Sequence, residues 1–136
     1  MSENVSVPGR APRPPATILL VEDDPGVVEI FSRILRMNGY EVRVAPDAES
    51  GLLELQRFTP SAVLLDLRLP IVDGLELLRR LRAEIPDARM PIAVVTGDYF
   101  VEEDVSRELR QLGAQVHFKP LWEDDLLKLV RDLLDG

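Results

Sequence analysis

The chain has 136 residues, with 16 Lys and Arg against 24 Asp and Glu, so its net charge is −8. This acidic balance argues against a nucleic-acid-binding surface, which needs clustered basic residues, and the absence of cysteine excludes disulfides and thiolate chemistry. No apolar run is long enough to span a bilayer, and the N-terminus lacks the apolar core of a signal peptide, which predicts a soluble, cytoplasmic protein.

Residues 1–16 are rich in proline and show no apolar periodicity. They are therefore predicted to form a disordered tail ahead of a folded domain over residues 17–136. Short apolar segments in that domain are typical of buried strands, and they are predicted at 18–21, 40–45, 62–67, 91–96 and 116–119.

Segments with helical spacing of apolar residues follow each predicted strand. Asp24, Asp47 and Asp73 suit N-cap positions at the start of three of these helices, and Pro25 suits the first helical position. The first helix is predicted to end at Gly39, and the last carries its apolar stripe on Leu126, Val130 and Leu133. This alternation predicts an α/β domain, a doubly wound parallel sheet of five strands covered by five helices.

Polar side chains stand where the predicted strands end. Glu22 and Asp23 follow the first strand, Asp66 lies near the end of the third, and Thr96 and Lys119 end the fourth and fifth. Because parallel strands bring their carboxyl ends to one edge, these side chains are expected to converge. A cluster with more carboxylates than ammonium groups suits Mg²⁺ together with an incoming phosphoryl group. Without a metal, one carboxylate should have its pKa raised by its neighbours.

Four segments together resemble the receiver domain of two-component response regulators: "ILLVEDDP", "AVLLDLRLPIVDGLEL", "PIAVVTGD" and "FKP". They occur in order and span residues 17 to about 134. The resemblance implies a flavodoxin-like fold with strand order 2-1-3-4-5. Since no residues remain for an output domain, we expect a stand-alone receiver.

The resemblance also implies the metal ligands and the nucleophile. Asp66 would be the phospho-acceptor, attacking a phosphohistidine to form an acyl phosphate. Glu22 and Asp23 match the acidic pair that holds Mg²⁺, with Asp66 and the backbone carbonyl of Arg68 completing the protein ligands. The domain would catalyse its own phosphorylation and dephosphorylation and would not turn over an external substrate.

Two further residues would act on the phosphoryl group itself. The resemblance implies that Lys119 pairs with the phosphoryl oxygens and that Thr96 donates its hydroxyl and moves toward them. Pro120 matches a proline that follows a cis peptide bond in the family. The resemblance also implies that side chains at Arg68 and Asp98, each two residues after a site residue, tune the attack of water on the acyl phosphate.

The implied partners are a sensor histidine kinase or a histidine phosphotransfer protein, which supplies or receives the phosphoryl group. A downstream protein is expected to bind the face formed by helix 4, strand 5 and helix 5, and a phosphorylation-dependent dimer is a further candidate partner. Neither direct nucleic-acid binding nor membrane binding is expected.

One departure from the family concerns the signalling switch. Most members carry an aromatic residue three positions before the lysine, where this chain has Val116, and "GAQVHFK" is one residue shorter than usual. Phe118 or His117 would take the place of that ring beside Thr96, or that half of the switch is missing.

Two other classes of function fit the sequence less well. A degenerate receiver that binds partners without phosphate is disfavoured by the intact set of site residues. A phosphohydrolase of the haloacid-dehalogenase type needs a second aspartate two residues after the nucleophile. Arg68 occupies that position and cannot serve as the acid or base.

Overall fold

The computed structural model describes residues 15–86, 88–97 and 101–135. Residues 1–14 of the predicted tail lie outside the described residues. Asp98 also lies outside them. The strands are β1 Thr17–Val21, β2 Glu41–Ala45, β3 Ala62–Leu65, β4 Ile92–Thr96 and β5 Ala114–Phe118. The helices are α1 Pro25–Met37, α2 Ala48–Arg57, α3 Gly74–Glu84, α4 Glu103–Gln111 and α5 Glu123–Asp135.

The five strands form one parallel sheet in the order β2-β1-β3-β4-β5. This arrangement confirms the predicted flavodoxin-like fold. Within the described ranges, no helix is both long and apolar enough to cross a membrane.

The core consists of two apolar layers, one on each face of the sheet. Leu19, Val21 and Leu65 point into the layer that α2, α3 and α4 cover, while Ile18, Leu20 and Leu64 point into the layer that α1 and α5 cover. Both faces of the central strands are therefore buried, which explains why their sequences are apolar almost throughout.

The predicted N-caps are confirmed by their hydrogen bonds. The Asp24 side chain accepts from the backbone N–H groups of Gly26 and Val27, and Pro25 is the first residue of α1. Asp47 accepts from Ser50 in the same way at the start of α2. These short polar side chains fix where the helices begin, directly after the carboxyl ends of their strands.

The predicted bounds of two strands were wrong by two residues. The third strand ends at Leu65 and not at residue 67, so Asp66 lies on the loop that follows it. The fifth begins at Ala114 and not at residue 116. Its second residue, Gln115, is polar and exposed on the edge strand. Because the strand was predicted from consecutive apolar residues, its first two residues were missed.

Candidate functional site

An acidic cluster lies at the carboxyl edge of the sheet. Glu22, Asp23 and Asp66 each offer a carboxylate oxygen, and these oxygens lie within 4.8 Å of one another. Glu22 and Asp66 are only 3% and 7% exposed, whereas Asp23 is exposed. The predicted convergence of the ends of β1 and β3 is confirmed for these three residues.

Lys119 places an ammonium group inside this cluster. Its Nζ lies 2.9 Å from Glu22 Oε1 and 3.7 Å from Asp66 Oδ2. The lysine backbone N–H donates to the Thr96 carbonyl at 2.8 Å, so the ends of β4 and β5 are joined directly below the cluster. Both predicted strand-end residues thus belong to the same edge as the carboxylates.

The pKa of Glu22 rises from 4.5 to about 7. Burial is the largest cause, because it removes water from the charged carboxylate. Lys119 opposes the rise and Asp66 adds to it. The sequence correctly predicted a raised carboxylate pKa, but it assigned the effect to neighbouring charges when burial contributes more.

The donor set of this cluster fits Mg²⁺. That ion prefers oxygen ligands, keeps several of its waters and accepts one or two carboxylates. An exposed Asp23 beside a recessed Asp66 provides such ligands while leaving the exposed side open to water and phosphate oxygens. The backbone carbonyl of Arg68 remains a predicted ligand.

The loop after β3 is shaped by close backbone contacts. The Arg68 backbone N–H donates to Asp66 Oδ1 at 3.1 Å, which orients one carboxylate oxygen. At Gly74, an added Cβ would lie 2.6 Å from the Asp66 carbonyl oxygen and 3.0 Å from Leu67 Cα. Gly74 therefore lets α3 begin against the backbone of Asp66, a role that its place at a helix start did not reveal.

The same loop contains a residue in the left-handed region. Ile71 has φ 68° and is fully exposed, at 104%. The Val72 N–H donates to the Pro70 carbonyl at 2.7 Å, which closes a three-residue γ-turn centred on Ile71. With a positive φ at its centre, this turn is the rare and strained form. The residue types of this loop did not indicate the turn, because neither glycine nor asparagine occupies the position.

The switch candidates point to different sides of the sheet. Val116 packs against the layer under α2, α3 and α4. Phe118 follows it on the same face and is in register with Thr96, but the residue is 44% exposed. His117 faces the other way, and a ring nitrogen lies 3.0 Å from Gln115 Oε1. Burial lowers the pKa of His117.

The loop after β5 carries the chain's sole tryptophan. The peptide bond between Lys119 and Pro120 is cis, as the resemblance implied. The Trp122 carbonyl accepts from the Leu126 N–H, and the Trp122 N–H in turn donates to Asp125 Oδ2, so Trp122 directly precedes α5 and caps its first turn. Its side chain is 71% exposed at this end of the domain.

Comparison with known proteins gives the same family throughout. The family model of the response regulator receiver domain matches residues 18–131. The probable transcriptional regulatory protein TcrX of Mycobacterium tuberculosis is 33% identical over 125 residues, which cover 92% of this chain and 52% of that protein. The response regulator MprA of Mycolicibacterium vanbaalenii is 39% identical over 121 residues, which cover 88% and 51%. The chain therefore spans about half the length of these two relatives.

Solved structures agree with these matches. A CheY-like receiver domain protein from Methanospirillum hungatei has a TM-score of 0.80 at 31% identity, with 89% of this chain and 94% of that chain covered. The chemotaxis protein CheY4 of Vibrio cholerae has a TM-score of 0.79 at 26% identity, with 88% and 99% covered.

Proposed function

The chain belongs to the response regulator receiver domain family, and we propose that it accepts a phosphoryl group on Asp66 in a Mg²⁺-dependent step. The donor is a sensor histidine kinase or a histidine phosphotransfer protein. The observation that carries this proposal is the cluster of Glu22, Asp23 and Asp66 with the Lys119 ammonium group inside it. We also propose a cytoplasmic location.

The transfer is a direct displacement at phosphorus. A carboxylate oxygen of Asp66 attacks the phosphorus of a phosphohistidine, and the phosphorus–nitrogen bond breaks with its electron pair going to the imidazole. The product is an acyl phosphate on Asp66. Bound Mg²⁺ would supply positive charge to the phosphoryl oxygens, held by Glu22, Asp23, Asp66 and the Arg68 carbonyl.

The protein's own groups prepare Asp66 for this step. The Arg68 N–H holds Oδ1 at 3.1 Å, and Lys119 Nζ lies 3.7 Å from Oδ2. When phosphoryl oxygens arrive, Lys119 can exchange its bond with Glu22 for a bond with them. Thr96 is fully buried at the end of β4. Its hydroxyl would therefore donate to the phosphoryl group from the interior side of the site.

The signal leaves through changed partner binding or through relay of the phosphate. We propose that the face of α4, β5 and α5 binds the downstream protein and supports phosphorylation-dependent dimers. Phe118 is the preferred switch residue beside Thr96, because the two are register partners on adjacent strands and Phe118 is part-exposed rather than held in the core. His117 lies on the opposite face of the strand and suits this role less well.

Labelling with a small phosphodonor tests the proposal. Incubation with acetyl phosphate and Mg²⁺ should give one acid-labile phosphate per chain, and both Asp66→Asn and removal of Mg²⁺ should abolish it. Asp24→Asn is a matched control, because Asp24 lies in the same acidic run but caps α1, a role that asparagine also fills. Undiminished labelling of Asp66→Asn would refute the proposal, and an unlabelled wild type would favour the phosphate-independent binding module.

A further inference from the structure

Ile71 lies in a strained conformation that its side chain does not favour. A β-branched residue with positive φ is an outlier, since its side chain crowds the backbone. Here φ is 68°, and the residue is the centre of the γ-turn between Pro70 and Val72. Strain of this kind persists where the surrounding structure enforces it, and it is concentrated at functional sites.

Packing within the domain does not explain why isoleucine occupies this position. Its side chain is fully exposed at 104% and is absent from both apolar layers of the described chain. Glycine or asparagine would adopt the same backbone conformation with less strain. The position therefore combines a cost in stability with an apolar surface that contributes nothing to the core.

The location of Ile71 indicates what its side chain meets. Ile71 follows Asp66 by five residues on the same loop, and Asp66 is recessed, with only 7% exposure. Because Asp66 is recessed, a donor as large as a protein has to contact the residues around it when its phosphorus reaches the carboxylate, and the loop with Ile71 begins at Asp66. A small donor can reach the carboxylate without that contact.

A second large apolar side chain stands at the same edge. Trp122 is 71% exposed on the loop after β5, and β5 is separated from β3 only by β4. With neighbouring strands about 4.8 Å apart, the two loops leave the sheet roughly 10 Å from each other. Ile71 and Trp122 thus offer two apolar contacts within the footprint of one protein partner.

We propose that Ile71 is a specificity-determining contact for the protein phosphodonor, inserted into an apolar patch beside the donor's phosphohistidine. This inference rests on the proposed function of Asp66. It adds a residue that distinguishes one donor protein from another by contact and takes no part in the chemistry. Ile71 should therefore affect transfer from a protein and leave transfer from a small molecule unchanged.

The test compares two donors with the same phosphorus–nitrogen bond. One is the phosphorylated sensor kinase or phosphotransfer protein that labels the wild type fastest in a profile of the source organism's histidine kinases. The other is phosphoimidazole, which has no protein surface. The variants are Ile71→Asn, Ile71→Gly and, as the matched control, Ile71→Leu, which keeps an apolar side chain without branching at Cβ.

Ile71→Asn and Ile71→Gly should slow transfer from the protein by about tenfold or more, the loss expected for an energetically dominant contact. Ile71→Leu should stay near the wild-type rate, and all four proteins should react equally with phosphoimidazole. Ile71→Asn should also raise Tm, by roughly 3–8 °C, because strain is relieved.

Three results would overturn the inference. The first is that Ile71→Asn accepts phosphate from the donor protein at the wild-type rate. The second is that its rate with phosphoimidazole falls by the same factor as its rate with the protein, and the third is that its Tm does not rise. The inference would also be overturned if the wild type reacted with phosphoimidazole but with no phosphohistidine protein. That result would not contradict phosphorylation of Asp66. Failure of the wild type to react with phosphoimidazole and with every phosphohistidine protein would instead refute the proposed function.

Discussion

Lys119 Nζ donates to Glu22 Oε1 at 2.9 Å, although the two residues lie 97 positions apart in the chain. The pair joins the end of β1 to the end of β5 across the carboxyl edge of the sheet. Glu22 is almost fully buried and Lys119 is 20% exposed, so a charged Glu22 depends on this ammonium group. The stability of the domain should therefore follow the charge state of Glu22.

Without divalent cations, Glu22 should make the domain less stable as pH rises. Its pKa is about 7 in the folded protein against 4.5 for an ordinary glutamate, so the folded state binds more protons between these limits. Stability is therefore lost as pH rises from about 4.5 to about 7, by up to about 3 kcal/mol from this group. Urea unfolding of wild type and Glu22→Gln from pH 5 to pH 8 measures the difference.

Glu22→Gln should remove that part of the pH dependence while retaining all other titrating groups, including His117. Saturating Mg²⁺ should reduce the slope of the wild type, because the ion binds the deprotonated carboxylate. Parallel pH profiles for the two proteins without metal would contradict the assignment to Glu22.

Replacing Lys119 with methionine should destabilise the domain more at pH 8 than at pH 5. Above pH 7 the substitution leaves a charged Glu22 buried without its partner, and breaking a buried pair in this way costs about 3–5 kcal/mol. At pH 5 Glu22 is protonated, so the cost should be much smaller. Urea unfolding of Lys119→Met, of Glu22→Gln and of the double variant checks this. The free energy lost through Lys119→Met should be the same at both pH values when Glu22 is already glutamine.

Much of the fold followed from local patterns in the sequence. The Asp24, Asp47 and Asp73 caps, the alternation of strands and helices and the convergence of acidic side chains were predicted and are confirmed. Each depends on residues close in sequence or on the general geometry of parallel sheets. The strand order came from the family resemblance and is also confirmed.

The features that the sequence did not reveal depend on distant contacts or on backbone angles. No local pattern links Glu22 to Lys119, and none shows that burial would dominate the pKa of Glu22. The close approach behind Gly74 is a property of where α3 meets the end of β3. Isoleucine disfavours a positive φ, so the residue types that usually indicate such a turn are absent at position 71.

Gly74→Ala should destabilise the domain, although alanine ordinarily favours helices. The added Cβ would lie 2.6 Å from the Asp66 carbonyl oxygen, so backbone has to move, at a cost of about 1–3 kcal/mol. Labelling by acetyl phosphate should slow as well, because the displaced segment contains Asp66. At Gly97 the nearest atom to an added Cβ is Lys119 Cδ at 3.9 Å, so Gly97→Ala should keep wild-type stability. Equal Tm values for the two variants would contradict this explanation.

The fluorescence of Trp122 should report on the site. Its backbone caps α5 three residues after Lys119. When Lys119 exchanges its bond with Glu22 for bonds with phosphoryl oxygens, we expect the loop that carries Trp122 to move. Because the ring is 71% exposed, its emission without ligands should be that of a hydrated indole and easily quenched by iodide. Titration with Mg²⁺ and beryllofluoride measures the change, and Asp66→Asn is the control that should not respond to beryllofluoride. A flat titration of the wild type would show that the loop does not follow Lys119.

Arg68→Ala should shorten the life of the acyl phosphate. Arg68 stands two residues after Asp66, beside a cavity of about 330 Å³ that Asp73 and Glu102 also line. Its guanidinium, placed over the phosphoryl group or bonded to its oxygens, would obstruct an in-line water and stabilise the phosphorylated form. A barrier change of about 1.4 kcal/mol alters the rate tenfold, so a modest contact is enough for a measurable effect.

Loss of acid-labile phosphate from purified phosphorylated protein measures this rate directly. Arg68→Lys is the control for charge, since lysine keeps the positive charge but lacks the planar fork. Asp98 lies outside the described residues, and Asp98→Ala distinguishes two arrangements. If Arg68 and Asp98 form a paired gate, the two single variants should be non-additive in the double variant. If Arg68 contacts the phosphoryl group alone, Asp98→Ala should decay like the wild type. Unchanged decay in Arg68→Ala would exclude Arg68 from either role and leave the lifetime to the other groups around Asp66.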